Sequence, residues 1–170
     1  MEAVTSNADE AFLALVNQYQ GAIRRVCRTY AATSEDREEI FQEIIYQLWR
    51  SFPSYRGESA AMTWVYRVAL NTAITALRKQ VARPRHVSLE PSHEPEVIGP
   101  PIDAHATSRS EWLYRAVRQL NAVDRALVMC YLDGLSYKGI AEVLGLSDAN
   151  VATRLHRIKG RLQELAKRVE

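Results

Sequence analysis

The sequence predicts an all-α protein of two small helical domains, an N-terminal helical bundle and a C-terminal helix-turn-helix, joined by a proline-rich linker. Three observations predict it. Apolar residues recur at helical spacing from Phe12 to about Gln80 and again from Trp112 onward. No strand-length stretch of alternating residues is present. Five of the six prolines (Pro84, Pro91, Pro95, Pro100 and Pro101) fall between Val81 and Thr107, where the periodicity fails. The expected divisions are therefore a first domain over 1–80, a flexible linker over 81–107 and a second domain over 108–170.

Taken in order, Phe12, Leu15, Val16, Tyr19, Ile23, Val26 and Tyr30 form one face of a long amphipathic helix. Ser34 offers an N-cap oxygen, with Glu35 and Asp36 in the first turn, where the helix dipole favours negative charge. A second helix follows through Ile40, Phe41, Ile44, Ile45, Leu48 and Trp49 and ends before Pro53. Residues 54–59 have turn chemistry. A third helix runs from Thr63 to about Gln80 on Trp64, Val65, Val68, Ala69, Thr72, Ala73 and Leu77. Beyond the linker the helical period runs from Trp112 to Leu132 and stops at Asp133-Gly134, a left-handed C-cap. Ser136 caps a short helix carrying Ile140, Ala141, Val143 and Leu144. Gly145-Leu146-Ser147 turns the chain, and Asp148 opens a last helix through Val151, Leu155, Ile158, Leu162 and Leu165. A helix, a short glycine-containing turn and a helix is helix-turn-helix spacing.

Composition narrows the function classes. A hydrophobic share of 47% and a charged share of 25% suit a globular protein that buries a core. The net charge of +2 implies no nucleic acid by itself, so the distribution of charge must carry that argument. Cys27 and Cys130 have neither CxxC spacing nor a histidine at ligand distance, which argues against a disulfide framework or zinc and favours a reducing cytoplasm. His86, His93 and His105 are widely spaced in the linker and suggest no metal site. No export signal or membrane-length apolar run is present, so no membrane insertion is expected. There is no Walker loop, HExxH or GxSxG, and no cofactor or catalytic constellation is expected.

Three surfaces carry the functional argument. On the last helix the apolar stripe turns Arg154, Arg157, Lys159, Arg161, Lys167 and Arg168 outward against Glu164 and Glu170, which after a tight turn suits a major groove. Arginine reads guanine edges, while lysine and the capping Ser147 hold phosphates. A solvated basic helix end is the plain alternative. On the third helix Trp64, Arg67, Asn71 and Arg78 share a stripe, and no acidic residue occurs from Ser59 to Leu89. Such a surface tracks a phosphate backbone, with Trp64 and Tyr66 as stacking surface and Asn71 reading a base edge. Trp64 also reads as core, buried aromatics being commoner than exposed platforms. The second helix is acidic, with Glu35, Asp36, Glu38, Glu39 and Glu43 against Arg37 alone before Arg50. That face repels DNA and suits a basic protein partner, with Gln42, Glu43, Tyr46, Leu48 and Trp49 as contact surface; an ordinary solvated face is the alternative.

These segments together resemble the extracytoplasmic-function group of sigma factors over about Phe12 to Leu165. Glu39-Ile40-Phe41-Gln42-Glu43 with Leu48-Trp49-Arg50 resembles that family's polymerase-binding helix. Tyr55-Arg56-Gly57-Glu58-Ser59, Thr63-Trp64-Val65-Tyr66-Arg67 and Asn71 resemble its promoter-melting segment. Asp133 to Tyr137, Ile140 to Ser147 and Val151 with Arg154-Leu155-His156-Arg157 resemble its helix-turn-helix. The resemblance implies that Glu39, Gln42, Glu43, Tyr46 and Trp49 bind core RNA polymerase. It implies that Arg56, Trp64, Arg67, Asn71 and Arg78 meet the −10 DNA, where an unstacked base is captured. It places Ser147, Asn150, Thr153, Arg154, Arg157, Lys159 and Arg161 at the −35 element. It further implies promoter DNA as a second partner and an anti-sigma protein as the inhibitor. Ala61, Met62, Gly139 and Ala152 depart from the family's usual residues, so promoter strength and sequence are not read from them.

Two other readings compete. A conventional helix-turn-helix transcriptional regulator would bind an operator as a dimer through residues 109–170. A non-initiating sigma-like interaction protein would occupy polymerase or an anti-sigma protein without starting transcription. The separate basic and aromatic stripe around Trp64 is not required by the first.

Overall fold

The structure, a computed structural model, describes residues 2–82 and 109–167, with side chains described for 7–80 and 111–167. Among the described residues every element is helical, so the all-α class holds. The expected proline-rich linker lies outside the described residues, apart from Val81 and Ala82, which close the third helix. His86, His93 and His105 lie outside them as well. The chain divides into two compact units, Met1–Thr75 and Ala76–Glu170, a division that falls inside the third helix and before the boundary at residue 80 read from the sequence.

In the first unit, α1 (Glu2–Tyr30) packs on α2 (Ser34–Ser51). Phe12, Ile23, Val26 and Tyr30 of α1 and Ile40, Ile44 and Leu48 of α2 are buried, each such side chain contributing roughly 1.5–3 kcal/mol. The N-cap of α2 is Thr33, not Ser34. The Thr33 hydroxyl accepts from the Asp36 N–H at 3.1 Å, while the Ser34 hydroxyl, one residue into the helix, donates to Glu35 Oε2 at 3.1 Å. A cap oxygen must precede the first helical residue to reach the third amide, and Thr33 has that position. The chain then makes one 3₁₀ turn at Phe52–Ser54 around Pro53, and a loop carries it to α3 (Ala61–Ala82). In that loop Gly57 takes φ 73°, a left-handed conformation open to glycine without strain. α3 buries Trp64, Val65, Tyr66, Ala69, Leu70 and Ala73.

In the second unit the run from Trp112 to Leu132 is two helices, α4 (Arg109–Arg118) and α5 (Ala122–Leu132), where periodicity alone suggested one. Asn121 breaks it. Its side-chain oxygen accepts from the Asp124 N–H at 2.9 Å and starts a new helix. α5 packs on α6 (Tyr137–Leu144) and on α7 (Asp148–Lys167). Leu127, Val128, Ile140, Val143, Val151, Leu155 and Ile158 form the core, whereas Tyr131 and Leu132, read as part of the apolar face, are exposed.

Candidate functional site

The acidic face of α2 stands beside an apolar groove. Adjacent apolar pairs recur every four residues, Ile40-Phe41, Ile44-Ile45 and Leu48-Trp49; the first of each pair is buried and the second lines the groove. Phe41, Ile45 and Trp49, with Phe12 of α1, Tyr46, Glu38 and Gln42, line an open groove of about 460 Å³. Tyr46 and Trp49 are 51% and 56% exposed. Glu39 and, one turn on, Gln42 and Glu43 are exposed, and Gln47 Nε2 donates to Glu43 Oε1 at 2.8 Å. The Arg24 guanidinium lies over the Phe41 ring at 4.3 Å, holding that ring's orientation. Of the residues named from the sequence, Gln42, Tyr46 and Trp49 line the groove, and Glu39 and Glu43 are exposed on α2 outside its lining. The sequence reading missed Phe12, Phe41 and Ile45 as its floor, although the paired pattern, wider than a single-face stripe, was the signal.

Around the loop that precedes α3 the aromatic residues pack on one another, with Phe52 and Tyr55 half-buried. The Tyr55 ring stacks on Trp64 at 4.7 Å and 27°, Phe52 lies 6.4 Å from Trp64, and Phe12 lies 5.4 Å from Phe52. The Tyr55 hydroxyl donates to the Ser59 carbonyl at 2.9 Å, closing the loop. Trp64 is 9% exposed and Tyr66 is fully buried, so neither offers the stacking surface read from the sequence. Each ring removes a large apolar area from water only by facing inward, and that outweighs presenting it to solvent. Arg56 on the loop and Asn71 and Arg78 on α3 are exposed, and Arg67 is half-buried. Of the stripe, Arg67 and Asn71 stand one and two turns along α3 from Trp64, and Trp64 itself is core.

The helix-turn-helix is fixed by three local devices. The Ser136 hydroxyl accepts from the Gly139 N–H at 3.1 Å, so position 139 serves the cap through its backbone. Gly145 ends α6 at φ 66°, and the Leu146 N–H returns to the Ala141 carbonyl at 3.0 Å. The Ser147 hydroxyl accepts from the Asn150 N–H at 3.3 Å, leaving its own O–H to donate outward at the start of α7.

Along α7, Asn150, Thr153, Arg154, Arg157 and Arg161 fall on one flank of the buried stripe Val151, Leu155 and Ile158. Asn150, Thr153, Arg157 and Arg161 are exposed, and Thr153 Oγ1 donates to the Ala149 carbonyl at 2.9 Å. Two cations differ from the sequence reading. Lys159 lies on the opposite flank, its Nζ donating to the Tyr131 hydroxyl at 3.0 Å and sitting 4.3 Å above that ring's centroid; the Tyr131 hydrogen bond raises its pKa. Arg154 is half-buried, with Nη1 3.2 Å from Asp124 Oδ1. Helical spacing places a residue on a face but does not say that an aromatic or a carboxylate on another helix waits there.

Among the described residues no cluster of His, Cys, Asp or Glu is arranged to hold a metal ion, and no helix is long and apolar enough to cross a membrane. Burial pushes the thiols of Cys27 and Cys130 up to about 11 and about 12, which keeps both protonated and unreactive near neutrality.

Comparison with known proteins matches two family models to the chain: Sigma-70 region 2 over residues 15–83 and Sigma-70, region 4 over residues 110–162. The chain is similar to the ECF RNA polymerase sigma-E factor of Haemophilus influenzae, 28% identical over 169 residues, covering 94% of this chain and 89% of that one. It is similar to the sigma-E factor of Escherichia coli, 28% identical over 182 residues, covering 99% and 95%. Among solved structures it resembles the sigma factor RpoE in complex with the anti-sigma factor NepR from Bartonella quintana, with a TM-score of 0.71, 21% identity and 93% and 98% of the two chains covered. It also resembles CnrH in complex with the cytosolic domain of CnrY, with a TM-score of 0.68, 19% identity and 94% and 89% covered. At those identities the structural likeness speaks for the fold.

Proposed function

The chain belongs to the extracytoplasmic-function group of the sigma-70 family, and from that premise we propose a division of its surfaces between polymerase and promoter. It is a transcription-initiation sigma factor, which binds core RNA polymerase and directs it to specific promoters. The observation that carries this is the occurrence of both family regions, in order, in one chain. As a partner of polymerase on DNA it works in the cytoplasm, by binding and without catalysis.

In this reading residues 1–80 bind polymerase and the −10 element, and residues 108–170 bind the −35 element. The groove on α2 docks on the polymerase: Trp49 and Tyr46 supply apolar anchor area and Gln42 a polar edge, while Glu39 and Glu43, exposed beside the groove, supply charge complementary to a basic partner. Arg56, Asn71 and Arg78, with Arg67, meet the −10 DNA, while Trp64 and Tyr55 form the wall that shapes the base-capturing loop. Asn150, Thr153, Arg154, Arg157 and Arg161 face the −35 duplex, with Ser147 donating to phosphate. Control by an anti-sigma protein belongs to the same reading, supported by the complexed state of the RpoE neighbour.

Co-elution with bacterial core RNA polymerase tests it. Wild type is expected to bind stoichiometrically, and a Glu39→Ala, Gln42→Ala, Glu43→Ala variant is expected to lose binding while keeping its helical signal. A folded wild-type chain that does not bind core polymerase refutes the reading.

A further inference from the structure

Asp124 belongs to none of the surfaces above, yet both oxygens of its carboxylate are committed. Oδ2 accepts from Asn121 Nδ2 at 2.8 Å while the Asp124 N–H donates to Asn121 Oδ1 at 2.9 Å, so the cap of α5 and the carboxylate hold one another. Oδ1 accepts from Arg154 Nη1 at 3.2 Å. The Asp124 side chain is 8% exposed and that of Arg154 is 36% exposed. The contact joins the first turn of α5 to the second turn of α7, between Asn150 and Arg157 on the flank that carries the other polar residues. A carboxylate this buried is retained only with its partners in place, which makes the geometry of the pair stiff.

A guanidinium is a planar fork whose donors point in directions fixed by its plane. With Nη1 tethered to Asp124 at 3.2 Å, the guanidinium is restricted to orientations that keep that contact, and Nη2 and Nε keep donors for a second acceptor. A mobile arginine would meet several base steps in several rotamers, and discrimination between bases would average out. Accordingly, we propose that Asp124, held in turn by Asn121, is a specificity-determining positioning residue. It fixes the guanidinium of Arg154 so that this arginine meets one base step of the −35 duplex in a single orientation. The proposal rests on the reading of α7 as the −35 surface.

The test uses the full chain bound to core RNA polymerase. Wild type first selects duplexes from a pool randomised over the −35 region. Affinities of wild type and Asp124→Asn for the selected duplex, for its single-base variants and for unrelated duplex are then compared at two salt concentrations. Asp124→Asn is expected to lose at least about tenfold in discrimination at one or two adjacent base pairs, with unrelated-duplex affinity and salt dependence unchanged. Undiminished discrimination at every position overturns the proposal. Parallel weakening toward all duplexes overturns it too, because it marks a pair that only supports the fold. Arg154→Lys keeps the opposite charge beside Asp124 but not the planar fork, and gives the same readout where Asp124→Asn does not fold; intact discrimination in that variant is equally fatal. A wild-type complex that selects no sequence overturns the −35 reading itself, and is seen before any variant is compared.

Discussion

Replacing Trp64 with alanine separates a core indole from a stacking platform. The side chain is 9% exposed, with Tyr55 stacked at 4.7 Å and Phe52 at 6.4 Å. A buried aromatic of this size withdraws roughly 150–250 Å² from water, and truncating one to alanine in a packed core costs about 3–5 kcal/mol. In a domain of 60–100 residues each kcal/mol moves the melting temperature by about 4–8 °C. Trp64→Ala is therefore expected to lower the melting temperature of the first unit by at least about 12 °C. Measured in a Trp112→Phe background, the fluorescence of Trp49 reports that unit. The stack also holds the loop that Tyr55 closes, so promoter opening falls with stability. A loss below about 1 kcal/mol, with promoter opening abolished in a chain of native stability, would refute the burial argument and restore Trp64 as a DNA-facing platform.

Other outcomes follow from single contacts. Lys159→Ala is expected to leave the salt dependence of promoter binding unchanged, because the ammonium is turned to Tyr131, whereas Arg157→Ala lowers the slope of log K against log salt by about 0.9 if it meets one phosphate; equal slopes for the two variants contradict this. Thr33→Ala is expected to cost about 1 kcal/mol in urea unfolding, and Ser34→Ala less than about 0.5 kcal/mol, the reverse order contradicting the cap assignment. The thiols set an alkaline limit. Their pKa values are raised by burial to about 11 and about 12 from 9.0, so above pH 9 the unfolded chain releases these protons while the folded chain retains them. Their contribution is fully present below pH 9 and is lost as pH rises through 11 and 12. Urea midpoints are expected to fall over that range, less steeply in Cys130→Ala, and a midpoint that rises there is the contrary result.

The fold was legible where one residue type has one physical use. Gly134 at φ 81°, Gly145 at φ 66° and the Ser136 and Ser147 caps are local devices, complete within a few residues, and each stands where the pattern put it. The break at Asn121 escaped because apolar periodicity runs across it, and the cap at Thr33 escaped because the competing cap residue, Ser34, lies one position on. On the site, exposed polar residues such as Gln42, Asn71 and Arg157 were legible from helical faces. The choice for Trp64 between core and platform, both read from the sequence, and the Tyr131 partner of Lys159 and the Asp124 partner of Arg154 were not. Each is settled by a group outside the residue's own helix, and a period of 3.6 residues carries no information about what another element brings to that face.

The turn between α6 and α7 has a kinetic consequence. With Gly145 already left-handed, Leu146 bonded back to Ala141 and Ser147 capping the next helix, the backbone that presents α7 has little freedom left to lose when a duplex arrives. Encounter then needs no ordering step. On the proposed reading of α7, the rate is set by diffusion and by the field of Arg157 and Arg161, while the lifetime of the complex carries the difference between one sequence and another.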